Sequence, residues 1–126
     1  MLPLRYPWLW WALGWLLVAS VIFGSLGPSG LLPDISPSDK LLHFGSYLVL
    51  MIWFSGLYRR ERHIFIALLL FALGFLLDFA QGASPYRVFD WRDVAANAGG
   101  ILAGLLLSRY ALEGWCRRVE QLFISN

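Results

Sequence analysis

The chain has 126 residues, of which 59% are apolar and only 14% charged, with a mean hydropathy of +0.63, whereas ordinary soluble domains are ~25% charged. That balance excludes a water-soluble globule. The net charge of +2 does not describe a nucleic-acid surface either, because the basic residues form no groove with interleaved aromatics.

Four stretches lack charge, and each approaches the ~20 apolar residues a helix needs to cross a hydrocarbon core of ~30 Å. The first, Tyr6 to Pro33, predicts a span near 8–26, with Trp8, Trp11 and Trp15 at the helical spacing of an aromatic belt. A cleaved signal peptide would have a basic start and an apolar stretch of ~7–15 residues. Here Arg5 is the only early basic residue and the run is longer, so this helix is read as a retained span. Pro28, Pro33 and Pro37 with Gly27 and Gly30 make the next loop a stiff connector. The run Leu41 to Tyr58 predicts a second span near 41–58, with Ser38 or Asp39 as N-cap.

The runs His63 to Leu77 and Val94 to Ser108 predict spans near 63–82 and 93–111 once Asp78 and Arg109 sit close to helix ends. All four runs are too continuous for the alternating strands of a barrel. The expectation is therefore an all-α, polytopic bundle of four transmembrane helices, forming one membrane domain over residues 1–126. Beyond it, Trp115, Val119, Leu122 and Phe123 fall on one helical face and Arg117, Arg118, Glu120 and Gln121 on the other. That pattern suits a helix lying on the membrane surface, with a frayed tail as the alternative. The single Cys116 has no disulfide partner, and no spacing of metal-ligand type stands out, so neither a metal nor a cofactor is expected.

Short loops on the cytoplasmic side of a membrane carry the excess of Lys and Arg. Arg5, Arg59, Arg60, Arg62, Arg109, Arg117 and Arg118 fall on one side of the predicted topology, and only Lys40, Arg87 and Arg92 on the other. Both termini are therefore expected in the cytoplasm, with the chain in the cytoplasmic (inner) membrane and the loops near 27–40 and 83–92 facing outward. Of the acids, Asp34, Asp39, Asp78, Asp90 and Asp93 lie outward, and Glu61, Glu113 and Glu120 inward.

The outward end also concentrates chemistry. Asp39, His43 and Tyr47 follow one another at four-residue intervals and share one helical stripe; Asp78 and Gln81 share another. The third loop and fourth helix read Arg87-x-x-Asp90-x-x-Asp93-x-x-x-Asn97-x-x-Gly100-x-x-x-Gly104. With the third span centred near Leu70, Asp78 lies ~12 Å from the midplane at 1.5 Å per residue. Polar groups at that depth face the bundle interior or a wet cavity. Ala96, Gly100 and Gly104 leave one side of the fourth helix smooth enough for a close helix contact within the fold. Gly14, Gly24, Gly45, Gly56 and Gly74 are read as packing contacts too.

In the motifs Asp39-Lys40-x-x-His43-Phe44-x-x-Tyr47, Asp78-x-x-Gln81 and Arg87 through Gly104, the sequence resembles the VanZ-like family of small membrane proteins. The family is named for an accessory determinant of resistance to the glycopeptide antibiotic teicoplanin. The resemblance covers about Asp34 to Gly104. It departs from the family pattern at Asp78, where Glu is usual, and at Pro85-Tyr86-Arg87, where Pro-Gly-Arg is common. It implies a role in the cell envelope and, by its name, in antibiotic resistance.

Three readings follow. In the first, Asp39, Lys40, His43, Tyr47, Asp78, Gln81, Arg87, Asp90, Asp93 and Asn97 line an outward-facing pocket for an amphiphile. The ligand would be a lipid-linked envelope precursor or the acyl-bearing antibiotic, taken from among membrane lipids, with Lys40, Arg87 and Arg92 holding an anionic head group. In the second, a membrane enzyme uses His43 as general base, oriented by Asp39 or Asp78, although Ser38, Ser46 and Ser84 sit in no recognised nucleophile motif. In the third, the polar cluster only latches helix ends. The sequence leaves open the partner of His43 and the oligomeric state.

Overall fold

A computed structural model describes residues 3–26, 37–82 and 91–124, the side chains of 25–26, 37–39, 81–82 and 124 excepted. The described residues form five helices and no strand: α1 (Pro7–Leu26), α2 (Pro37–Leu57), α3 (His63–Gly82), α4 (Trp91–Tyr110) and α5 (Trp115–Ile124), with a single 3-10 turn at Arg60–Arg62 before α3. The all-α membrane bundle expected from the uncharged runs is the architecture found. The boundaries differ by one or two residues at α1 and α4 and most at α2, which begins at Pro37, where a ring-fixed φ suits the first helical residue. Ser38 and Asp39 therefore lie inside its first turn and not at the N-cap. The expected Pro- and Gly-rich connector falls largely outside the described residues.

α1, α2 and α3 are each long and apolar enough to cross a membrane, whereas α4 reaches that standard only together with α5, across a bend of 56°. The reason lies in which face of α4 is polar. Its buried residues include Asp93, Asn97 and Ser108, turned toward the other helices, while Leu102, Leu106 and Leu107 are exposed. α3 likewise exposes Ile64, Phe65, Leu68 and Leu69 and buries Asp78. Apolar outside with polar groups inside is the arrangement hydrocarbon demands, since a lipid-facing polar group finds no hydrogen-bond partner.

The central seam joins α2 and α4, which run in the same direction side by side. A Cβ on Gly100 would collide with the Phe44 carbonyl oxygen, and one on Gly104 would lie 2.7 Å from Met51 Cβ. The small residues Gly100 and Gly104 thus let two backbones approach, as expected, with the half-buried Ala96 one turn earlier on α4. Gly14 meets Phe54 and Trp53, Gly56 meets Trp115 and Cys116, and Gly74 meets Asn97 and Tyr47. Gly24 and Gly45 do not follow the packing expectation, for nothing lies within 4 Å of a Cβ at either.

At the end of the bundle where α1 starts and α2 finishes, α5 folds back under the other helices. Gly114, with φ 66°, supplies the left-handed residue that the turn into α5 requires. Trp10, Trp53 and Trp115 stack with ring centroids 5.2–5.5 Å apart. Glu120 departs from its expected solvent face: it is buried and accepts hydrogen bonds from the backbone N–H of Arg5 (2.7 Å) and Tyr6 (2.9 Å) and from Trp10 Nε1 (2.8 Å). The first N–H groups of a helix have no partner within it, and a carboxylate from α5 supplies one for the entry to α1. Leu122 and Phe123, by contrast, are exposed.

Candidate functional site

The polar site sits at the opposite end, where α2 and α4 begin and α3 finishes. One stripe of α2 carries Lys40, His43 and Tyr47; the first turns of α4 carry Asp93 and Asn97; the last turns of α3 carry Asp78. His43, Tyr47, Asp78, Asp93 and Asn97 are all buried, at 2–8% exposure, in a region whose outer surface is apolar. Burying such groups costs several kcal/mol unless they are hydrogen-bonded, so their pairing decides whether the end of the bundle holds.

Asn97 provides that pairing. Its Nδ2 donates to Asp78 Oδ2 at 2.8 Å, and its Oδ1 lies 2.9 Å from His43 Nδ1. A carboxylate only accepts, which assigns the amide: the NH₂ faces Asp78 and the carbonyl faces His43. The His43 Nδ1 must then carry its proton and donate. The other ring nitrogen, Nε2, is 3.9 Å from Asp93 Oδ1, and Nδ1 is 4.0 Å from Asp78 Oδ1. Lys40 Nζ makes an ion pair with the same Asp93 oxygen. Gly74 on α3 makes the meeting possible, because a Cβ there would lie 3.1 Å from both the Tyr47 hydroxyl and Asn97 Nδ2.

Of the residues singled out in the sequence, the structure brings together Lys40, His43, Tyr47, Asp78, Asp93 and Asn97. The side chains of Asp39 and Gln81 and the whole of Arg87 and Asp90 lie outside the described residues. The partner of His43 that the sequence left open is Asn97. Asn97 was not weighed as a partner from the sequence, although it stood in the same motif as Asp93; of the acids that were, Asp78 has Oδ1 4.0 Å from His43 Nδ1 and Asp39 lies outside the described side chains.

Beside the cluster, α1 and α2 diverge to leave a groove of ≈ 570 Å³. Its walls are mostly apolar, among them Leu17 and Val21 of α1 and Leu42, Val49 and Leu50 of α2, and it reaches His43 and Tyr47. Gly24 and Gly45, the two glycines without packing partners, both line it. An apolar trough with a few convergent polar groups is the usual form of a small-ligand site. Sequence reading missed the groove because each of its wall residues alone looks like ordinary lipid-facing surface.

The model of the VanZ/LLP1 family matches residues 6–112. The chain belongs to the VanZ/LLP1 family. The matched segment contains all of α1 to α4, and so every member of the polar cluster and both walls of the groove, while α5 lies beyond it. Neither a curated protein nor a solved structure matches the chain.

Proposed function

We propose that this VanZ/LLP1 protein is a component of the cell envelope, seated in the cytoplasmic membrane with both termini inside, that binds an anionic amphiphile. An acyl chain occupies the groove between α1 and α2, and the head group meets the polar cluster. The observation carrying this reading is the groove's lining: mostly apolar, it includes His43 and Tyr47 of the polar cluster. Lys40 and, from the connection before α4, Arg87 are the donors for a phosphate or carboxylate, by charge-assisted hydrogen bonds. The ligand class is a lipid-linked envelope precursor or an acylated glycopeptide, and a resistance phenotype follows if sequestering that ligand withdraws it from the antibiotic's reach.

A photo-reactive side chain introduced at Ser46, inside the groove, should capture an acyl lipid in membranes far more efficiently than one at Phe65, on the exposed face of α3. Equal capture at the two positions would mean that the groove has no preference over bulk lipid and would sink the reading.

A catalytic reading draws on one observation, the fixing of the His43 ring by Asn97, which is the kind of orientation a general base needs. Purified protein with envelope lipids should then show turnover that His43→Ala abolishes; equal background rates in both remove it.

A further inference from the structure

We propose that His43, Asp78 and Asp93 together bind one divalent metal ion of the zinc class. One nitrogen of His43 and one carboxylate oxygen from each acid lie within 4.8 Å of one another, and all three side chains are buried. They come from three different helices, α2, α3 and α4, of which α2 and α4 are held together by the Gly100 and Gly104 seam.

The spacing between imidazole and carboxylate is informative. His43 Nε2 and Asp93 Oδ1 are 3.9 Å apart, too far for a hydrogen bond. Two ligand atoms each ~2.0–2.2 Å from a shared zinc ion stand roughly 3.3–3.6 Å apart at a tetrahedral angle, so this pair closes by a few tenths of an ångström around an ion. Asp78 Oδ1 is 4.0 Å from the other ring nitrogen, Nδ1, and the three residues' ligand atoms fall within 4.8 Å of one another, so Asp78 has to turn toward the ion to complete the set.

Asn97 supplies the support such a site needs. A metal-bound histidine typically donates its other N–H to a carbonyl or carboxylate, and ligating carboxylates are themselves hydrogen-bonded. Here His43 Nδ1 is set against Asn97 Oδ1, and Asp78 Oδ2 accepts from Asn97 Nδ2. One amide thus orients two of the three ligands and makes Nε2 the nitrogen with the lone pair. Among the described residues the ammonium of Lys40 engages Asp93, and a divalent cation adds positive charge between the two buried carboxylates. The mixed imidazole and carboxylate set selects zinc-like ions over Mg²⁺ and Ca²⁺, which favour all-oxygen shells. Three protein ligands leave the fourth position of a tetrahedral site for water or a ligand atom.

The amphiphile reading is not needed for this site, and the ion alone tests it. The chain has two histidines, His43 and His63, so protein labelled with 15N in the imidazole rings, chelator-treated and held in detergent, shows two sets of ring signals; His63→Gln assigns them. Titration with Zn²⁺ should shift the His43 signals, saturating at one ion per chain, while those of His63 stay in place and Mg²⁺ at the same concentrations shifts neither. Asp93→Asn, close in shape, should weaken the titration at least tenfold with helicity unchanged by circular dichroism. The wild-type titration decides by itself if that variant does not fold: no shift at His43 up to millimolar Zn²⁺, or a shift confined to His63, overturns the proposal, as does undiminished binding by folded Asp93→Asn.

Discussion

Asn97 is the residue on which the polar end of the bundle depends, because it hydrogen-bonds both His43 and Asp78. Removing the amide leaves two buried polar partners without that bond, and an orphaned buried donor or acceptor costs about 1–3 kcal/mol, more when charged. Asn97→Ala should therefore lower the thermal unfolding midpoint in detergent, and an unchanged midpoint would contradict the network. Glu120 makes a second prediction, with a sign. Burial by itself would raise its carboxyl, but the backbone N–H groups of Arg5 and Tyr6, the Trp10 indole and the nearby Arg5 charge hold it below the usual Glu range. A depressed carboxyl stabilises the folded state fully above its unfolded value, and the contribution is lost as pH falls through the lowered one. Acidification below the ordinary Glu range should thus release α5 and change tryptophan emission in the wild type, and Glu120→Gln should lack the transition. His43, Asp78 and Asn97 were legible in the sequence because polar residues near the ends of apolar runs stand out. Glu120 was not: its partner in Arg5 is 115 residues away, and sorting α5 into charged and apolar faces put the residue on the wrong side.

Among the helices, the seam between α2 and α4 is the tightest contact. Gly100→Ala drives a methyl group into the Phe44 carbonyl and close to Leu48 N, backbone atoms that cannot rotate away, so it should cost well over 1 kcal/mol and lower the yield of folded protein. Gly45→Ala meets nothing within 4 Å and should be neutral or stabilising by up to ~1 kcal/mol through helix propensity. Thermal unfolding of the pair checks both, and similar midpoints would refute the seam. Helix limits near 8–26 and 63–82 could be read from the uncharged runs, since hydrocarbon thickness sets their length. The roles of individual glycines could not, because Gly24 and Gly45 differ from Gly100 only in what stands opposite them.

For the whole molecule, the fold carries Arg5, the Arg59 to Arg62 turn and α5 at one end, and Lys40, Asp78 and Asp93 at the other. By the excess of basic residues in cytoplasmic flanks, the proposed orientation puts the first end in the cytoplasm. Cys116 does not interfere with a labelling test, because burial, reinforced by the nearby Glu120 charge, pushes its thiol up to about 12. A cysteine placed at Arg60 should be protected from impermeant reagents in intact cells, and one placed in the 83–90 connection should react; the reverse pattern would invert the topology. The central claim concerns the groove of ≈ 570 Å³ lined in part by His43 and Tyr47, and lipid retention tests it most directly. Native mass spectrometry of the detergent-extracted protein should find one acyl lipid held per chain in the wild type, and at least fivefold less in Gly45→Leu, which fills the groove from a position with room for a side chain. Equal retention by a folded Gly45→Leu protein, or no lipid on the wild type, would contradict the account.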